Sequence, residues 1–491
     1  MGDWTRRLAL TRFELIPLPT RVTINPAVPS RSPQSLPFGM EYHMFARQFT
    51  LCVTLLFVFP FGCGSSQPAG DNAATAADPV KKKPSASTAT AKGASVEWSR
   101  FRGPEGSGSA TGVTLPLTWS ESEHIAWKTP LPGAGASSPI VSGDHVYLTA
   151  YTGYLVPGEE GGDLSQLKRH LLALSRDKGQ IVWDKAIPAD LPEEKSIRDH
   201  GFAASTPVAD AERVYVFFGK TGVLAFDHSG QQLWKTKVGE KTHGWGSSAS
   251  PILYNDLVII NASVESESLV ALNRATGKEV WRTGGINEAW NTPLVIEAGG
   301  RSELIVATQG KILAFDPASG KPLWDCNTDI TWYMAPSVVA HDGVVYAIGG
   351  RSGVTALAVR GGGSGDVTSK LRLWTIQEGS NVSSPVFHEG HLYFANDNRE
   401  VAYCVEAATG KVVYEQRLNR AGQVYASALL AGGRVYYTTR DGKTFVIAAK
   451  PKFEELAANS LTDGGLFNAS AAVNGKQLLI RSDKFLYCIE E

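Results

Sequence analysis

The sequence predicts an all-β fold, an eight-bladed β-propeller over Trp98–Glu491 whose ring is closed by an N-terminal strand. Three observations predict it. A small-residue-plus-Pro signature recurs along the chain, an aromatic returns at a fixed place late in each repeat, and a segment ahead of the first repeat supplies the strand that the last one lacks.

The signature opens each repeat: Ser138-Pro139, Thr206-Pro207, Ser250-Pro251, Thr292-Pro293, Ala335-Pro336 and Ser384-Pro385, then the weaker Ser427-Ala428 and Ser470-Ala471. Spacings between the second residues are 68, 44, 42, 43, 49, 43 and 43. The two long intervals hold visible insertions, Tyr151–Gly162 and Gly361–Gly365. After each signature come alternating stretches such as His145–Thr149 and Glu212–Phe218, the period-2 pattern of strands packed on one face. Four short strands in about 43 residues is the size of a propeller blade.

The late aromatic is Trp183, Trp234, Trp281, Trp324, Trp374 and Tyr414, with Phe453 as a degenerate seventh. The eighth repeat, from Ser470, has room for three strands only. Glu123–Lys128 carries the same pattern around Trp127, so it is expected to complete that blade and remove an exposed sheet edge. These aromatics follow every blade and are read as structural docking residues.

The strand–turn–Trp unit resembles the tryptophan-docking repeat of pyrroloquinoline-quinone (PQQ) dehydrogenase-like propellers, a family that includes BamB-type envelope lipoproteins. The likeness covers nearly all of Trp98–Glu491. It is specific for fold and weak for function, because the repeat stabilises blades whatever the propeller does. The opening Trp98–Pro104 also looks like a segment common in bacterial members, with no role assignable from sequence.

The N-terminal quarter reads differently. Met44–Gly62 has Arg47 followed by an apolar run from Phe49 to Phe61, and ends at Gly62-Cys63. It looks like a lipoprotein signal peptide cleaved before Cys63, which would then carry the lipid. Pro60 and Phe61 stand where Leu and a small residue are usual, and an ordinary secretory signal is the competing reading. Residues 1–43 resemble no targeting segment, so Met44 is the expected start. Residues 63–97, rich in Ala, Ser, Thr and Pro with Lys81–Lys83 inside, are expected to be a flexible tether. The expected location is the cell envelope, lipid-anchored at the outer membrane and facing the periplasm.

A formal net charge of -1 gives no bulk attraction to nucleic acid. Five cysteines, two of them in or at the end of the signal region, imply no disulfide framework. A PQQ-dependent oxidoreductase is the enzymatic alternative. The resembling alcohol dehydrogenases carry adjacent cysteines and a Ca²⁺ site, and this chain has no adjacent cysteines; Cys404 and Cys488 fall two blades apart, at third-strand packing positions. No cofactor is therefore expected. His388-Glu-Gly-His391 falls on a turn, unlike the helical zinc-protease motif, and no nucleophile elbow or P-loop occurs.

The segments ahead of each signature should line the channel mouth. They carry His200, Phe202, His243, Trp245, Glu288, Trp290, Trp332, Tyr333, Asn381, Tyr425 and Asn468. Unlike aromatics with a few polar groups suit a peptide or small-ligand site. Position by position, Ala136, Ala204 and Ser248 predict an open side, and Trp290, Tyr333 and Tyr425 an aromatic wall. His200 and His243, with Asp199 or Glu288, could form a metal or catalytic pair; satisfied loop histidines are the simpler reading, and no metal is assigned. The expectation is a monomeric scaffold for an envelope protein or a small ligand, with outer-membrane protein assembly as the task the resemblance implies.

Overall fold

The structure, a computed structural model, describes residues 97–198, 200–351 and 353–491. The expected signal peptide, Cys63 and nearly all of the expected tether lie outside the described residues.

Eight sheets form the blades, each with four antiparallel strands, and two of them carry a short parallel fifth. The first is typical: Ile140–Ser142 innermost, then His145–Thr152, Lys168–Ser175 and Ile181–Pro188 outermost. Alternation explains the burial. Second and third strands are buried on both faces because each blade is covered by its neighbours, whereas outer strands keep one face in water. The eighth blade comprises Ala472–Asn474, Gln477–Arg481, Phe485–Ile489 and, on its outer edge, Ile125–Pro130 from the N-terminal side. The expected closure is present, with Trp127 paired to Cys488.

The docking aromatics share a register, each opposite a small third-strand residue: Trp183 with Ala173, Trp234 with Ala225, Trp281 with Ala271, Trp374 with Ala358, Tyr414 with Cys404. Each indole reaches across to the next blade. The Trp234 Nε1–H donates to the Arg274 carbonyl at 3.1 Å, and the ring covers Gly277, where a Cβ would lie 2.6 Å from it. Gly277 also has φ +70°, so both the contact and the turn require glycine. Trp127 covers Gly179 of the first blade in the same way, so the closing strand docks as the others do.

Two details differ from expectation. Phe453 is not the seventh docking residue. Ala457 occupies that register, opposite Val446, and Phe453 is the surface on which Tyr414 docks, ring centroids 5.6 Å apart and near perpendicular. Trp324 donates instead to the fully buried Glu303 carboxylate at 2.8 Å. The insertion after Arg360 changes the turn there and adds Gly365–Asp366 as a parallel strand beside Trp324.

Trp98–Ala110 has a clear place. It crosses the channel end opposite the mouth loops, bridging Val141, accepting the Ala209 N–H on the Ser99 carbonyl, and pairing Ser109 with Leu430. Arg102, buried midway, donates to the carbonyls of Ser107 and Pro385. The strap thus touches the first, second, sixth and seventh blades.

Candidate functional site

All eight inner strands start at the mouth and run toward the strap. Near the axis they splay, so strands of neighbouring blades cannot pair as a sheet, and the first N–H of each needs another acceptor. A hydroxyl from the next blade supplies it. Ser138 N–H donates to Thr206 Oγ1, Thr206 to Ser250, Ser250 to Thr292, Thr292 to Ser337, Ser337 to Ser384, Ser384 to Ser427, Ser427 to Ser470, and Ser470 back to Ser138, all at 2.9–3.1 Å. The signature is therefore an axial hydrogen-bonded ring. Proline follows the ring residue in five blades because it brings no further N–H to satisfy.

The fifth blade corrects the sequence alignment. Its ring residue is Ser337, two places beyond the position that Ala335-Pro336 suggests. The layer just above the ring is consequently Ala136, Ala204, Ser248, Trp290, Ala335, Val382, Tyr425 and Asn468, all of which line the cavity. Tyr333 is not in that layer, so the expected continuous wall is broken by Ala335 and Val382; Tyr333 reaches the cavity from its loop.

The result is a well of about 370 Å³ whose lining includes the hydroxyl ring and Phe101 of the strap. Of the residues expected at the mouth, His200, Trp245, Trp290, Tyr333, Asn381, Tyr425 and Asn468 line it. Phe202, His243, Glu288 and Trp332 do not. Phe202 is 5% exposed and packs edge-on against Tyr151. His243 packs edge-on against Trp290 at 5.0 Å and accepts the Trp245 N–H. Glu288 is half-buried at φ +51°, and its carbonyl accepts the Met334 N–H. Trp332 stands on the rim, 42% exposed. His200 and His243 are thus not partners in one lining, and Asp199 lies outside the described residues.

Sequence reasoning missed Phe101, Arg351, Asp397, Asn398 and Gln423, which also line the well. Arg351, Asp397 and Asn398 come from turns between second and third strands, which carry no repeat signature. Burial pushes the Asp397 carboxyl up, and the Asn381 N–H, at 2.8 Å, and Ser380 hydroxyl oppose that. The Trp290 indole donates to the Gly246 carbonyl at 2.7 Å, which fixes its ring. The Arg440 guanidinium lies 4.3 Å from the Tyr425 centroid, and Arg198 and Arg351 lie 5.7 and 5.9 Å from Trp245.

The family model described as "Outer membrane protein assembly factor BamB" matches residues 167–402 and 363–452. The chain belongs to the BamB family. Outer membrane protein assembly factor BamB of Yersinia pestis is 25% identical over 358 residues, covering 67% of this chain and 82% of that protein. BamB of Burkholderia pseudomallei is 22% identical over 363 residues, 71% and 82% of the two chains. Among solved structures, BamB from Moraxella catarrhalis aligns with a TM-score of 0.52 at 14% identity, over 74% of this chain and 98% of that one. Quinohemoprotein alcohol dehydrogenase from Comamonas testosteroni aligns at 0.57 with 12% identity over 80% of each chain. At these identities both structures speak for the fold alone.

The residues of this BamB-family propeller do not fit a metal-assisted quinone. Among the described residues Asp397 is the one carboxylate lining the well, and its oxygens are engaged by Asn381, Ser380 and Asn398. Cys326, Cys404 and Cys488 are buried in three separate blades. Among the described residues no three His, Cys, Asp or Glu side chains are placed to hold a metal ion.

Proposed function

We propose that this BamB-family propeller is a lipid-anchored scaffold of the cell envelope that binds a protein partner of outer-membrane assembly on its mouth face. The family match carries the reading. The surface supports it. Exposed large apolar side chains fall in two groups: one along the outer strands, as in Val182 and Val280, and one on mouth loops, namely Leu155, Leu191, Trp332 and Leu466. Arg351 lies over Trp245, which shares an aromatic cluster with Tyr333 and the exposed Trp332, and tryptophan, tyrosine and arginine are what interface hot spots use. Cys63 would supply the anchor.

The test is affinity purification of the tagged full chain from solubilised envelope. A protein of the outer-membrane protein assembly apparatus should co-purify with the wild type and be lost from a Trp332→Ala/Arg351→Ala variant that melts normally. Its absence from the wild type, or its retention by the variant, would refute the reading. Cys63→Ala should release the protein from membranes; unchanged processing and fractionation would remove the anchor.

A further inference from the structure

We infer that the axial well is a binding site for a neutral saccharide of one or two rings, independent of any partner on the mouth face. The cavity, about 370 Å³, lies within the range of small-ligand pockets. Three features of its lining select the ligand.

The floor is a hydroxyl surface. Every ring hydroxyl spends one lone pair on a backbone N–H and keeps its own proton and a second lone pair. Such a group can both donate and accept, as each hydroxyl of a sugar does. The wall provides the complementary apolar surface. Trp290 and Tyr425 stand three blades apart in the same layer, with only Ala335 and Val382 between them, and the C–H face of a sugar ring packs on such aromatics while its rim makes hydrogen bonds.

Asn381 decides against an anion. Its side chain is 7% exposed, its Nδ2 donates to Tyr333 at 3.3 Å, and its Oδ1 has no partner among the described residues. That oxygen is sealed from the cavity, so what Asn381 presents to the well is a neutral amide and not a cation that would call for an anion. An anion would also be desolvated beside Asp397, while the Arg351 cation stays exposed at the rim.

The experiment is calorimetric titration of the purified full chain with glucose, galactose, N-acetylglucosamine and maltose, with sodium phosphate and sodium benzoate in parallel. Saturable binding of at least one sugar is expected, with no heat from either anion. Asn381→Leu, which removes a polar amide from the lining, should weaken that binding about tenfold. Ala335→Trp, which fills the well, should abolish it. Circular dichroism melting identifies a variant that fails to fold, and either variant alone suffices. Silence from all four sugars, binding untouched by a folded variant, or binding of phosphate or benzoate instead would overturn the inference. Loss of the partner in the envelope purification would leave these titrations unchanged, so the two readings fail separately.

Discussion

The Ser138 hydroxyl in the first blade accepts the backbone N–H of Ser470 in the last, at 3.1 Å. This bond closes the axial ring between residues 332 positions apart, on the inside of the same junction that Ile125–Pro130 completes on the outside. The propeller is therefore fastened twice at one seam, near the axis and at the rim.

Ser384→Ala should cost about 1–3 kcal/mol, because the Ser337 N–H loses its acceptor in a buried place. Ser384→Thr should cost little, since Thr206 and Thr292 already serve in the ring. Urea denaturation of both variants checks this; equal stability of Ala and Thr would mean the ring contributes nothing.

Trp281→Ala should cost about 3–5 kcal/mol, the range for truncating a large buried side chain. The indole is 8% exposed and donates to the Pro317 carbonyl at 3.2 Å. Trp332→Ala, on the rim, should change stability by less than about 0.5 kcal/mol. Melting curves of the pair separate docking tryptophans from surface ones.

Removing the chain through Trp127 should lower the melting temperature and promote self-association, seen by size-exclusion chromatography. The strand Phe485–Ile489 would lose its outer partner and become an open edge. A truncated protein that stays monomeric and melts as before would contradict the closure.

Glu265 sets a pH dependence. The side chain is 2% exposed, and burial raises its carboxyl from 4.5 to about 7, opposed by a hydrogen bond from Ser247. The folded chain therefore holds a proton that the unfolded chain releases, so stability falls as pH rises from about 4.5 to about 7 and then levels off. Glu265→Gln should flatten that slope and be more stable than wild type above pH 7 by about 1–3 kcal/mol. Parallel denaturation curves at pH 5 and 8 test it; an unchanged slope would remove Glu265 as its source.

The repeat was legible because every blade uses the same docking aromatic and ring hydroxyl, so periodicity reports both. Where a blade departs, the reading slipped. In the fifth blade the loop holds Trp332-Tyr333 ahead of Ala335-Pro336, and proline drew the alignment away from Ser337, whose hydroxyl does the bonding. In the seventh, aromatic identity favoured Phe453 over Ala457, because strand register is invisible in composition. The well was half legible. Loops entering inner strands announce themselves by position, but side-chain direction there depends on packing: Phe202 turns outward to Tyr151, whereas Trp245 lines the cavity. Arg351 and Asp397 sit on turns with no signature at all.

The strap under the channel changes how such a chain can reach its native state. A repeat array whose units touch only their neighbours can assemble and fray one unit at a time. Here the earliest described residues find their partners late: Arg102 must wait for Pro385, Ser109 for Leu430, and the backbone of Leu117 and Trp119 for Asn459. During synthesis these N-terminal residues have nowhere to dock until most blades have emerged, and contacts of such long sequence separation make folding slow. Once made, they tie distant blades together, so the ring should come apart as one cooperative unit, without blade-by-blade intermediates.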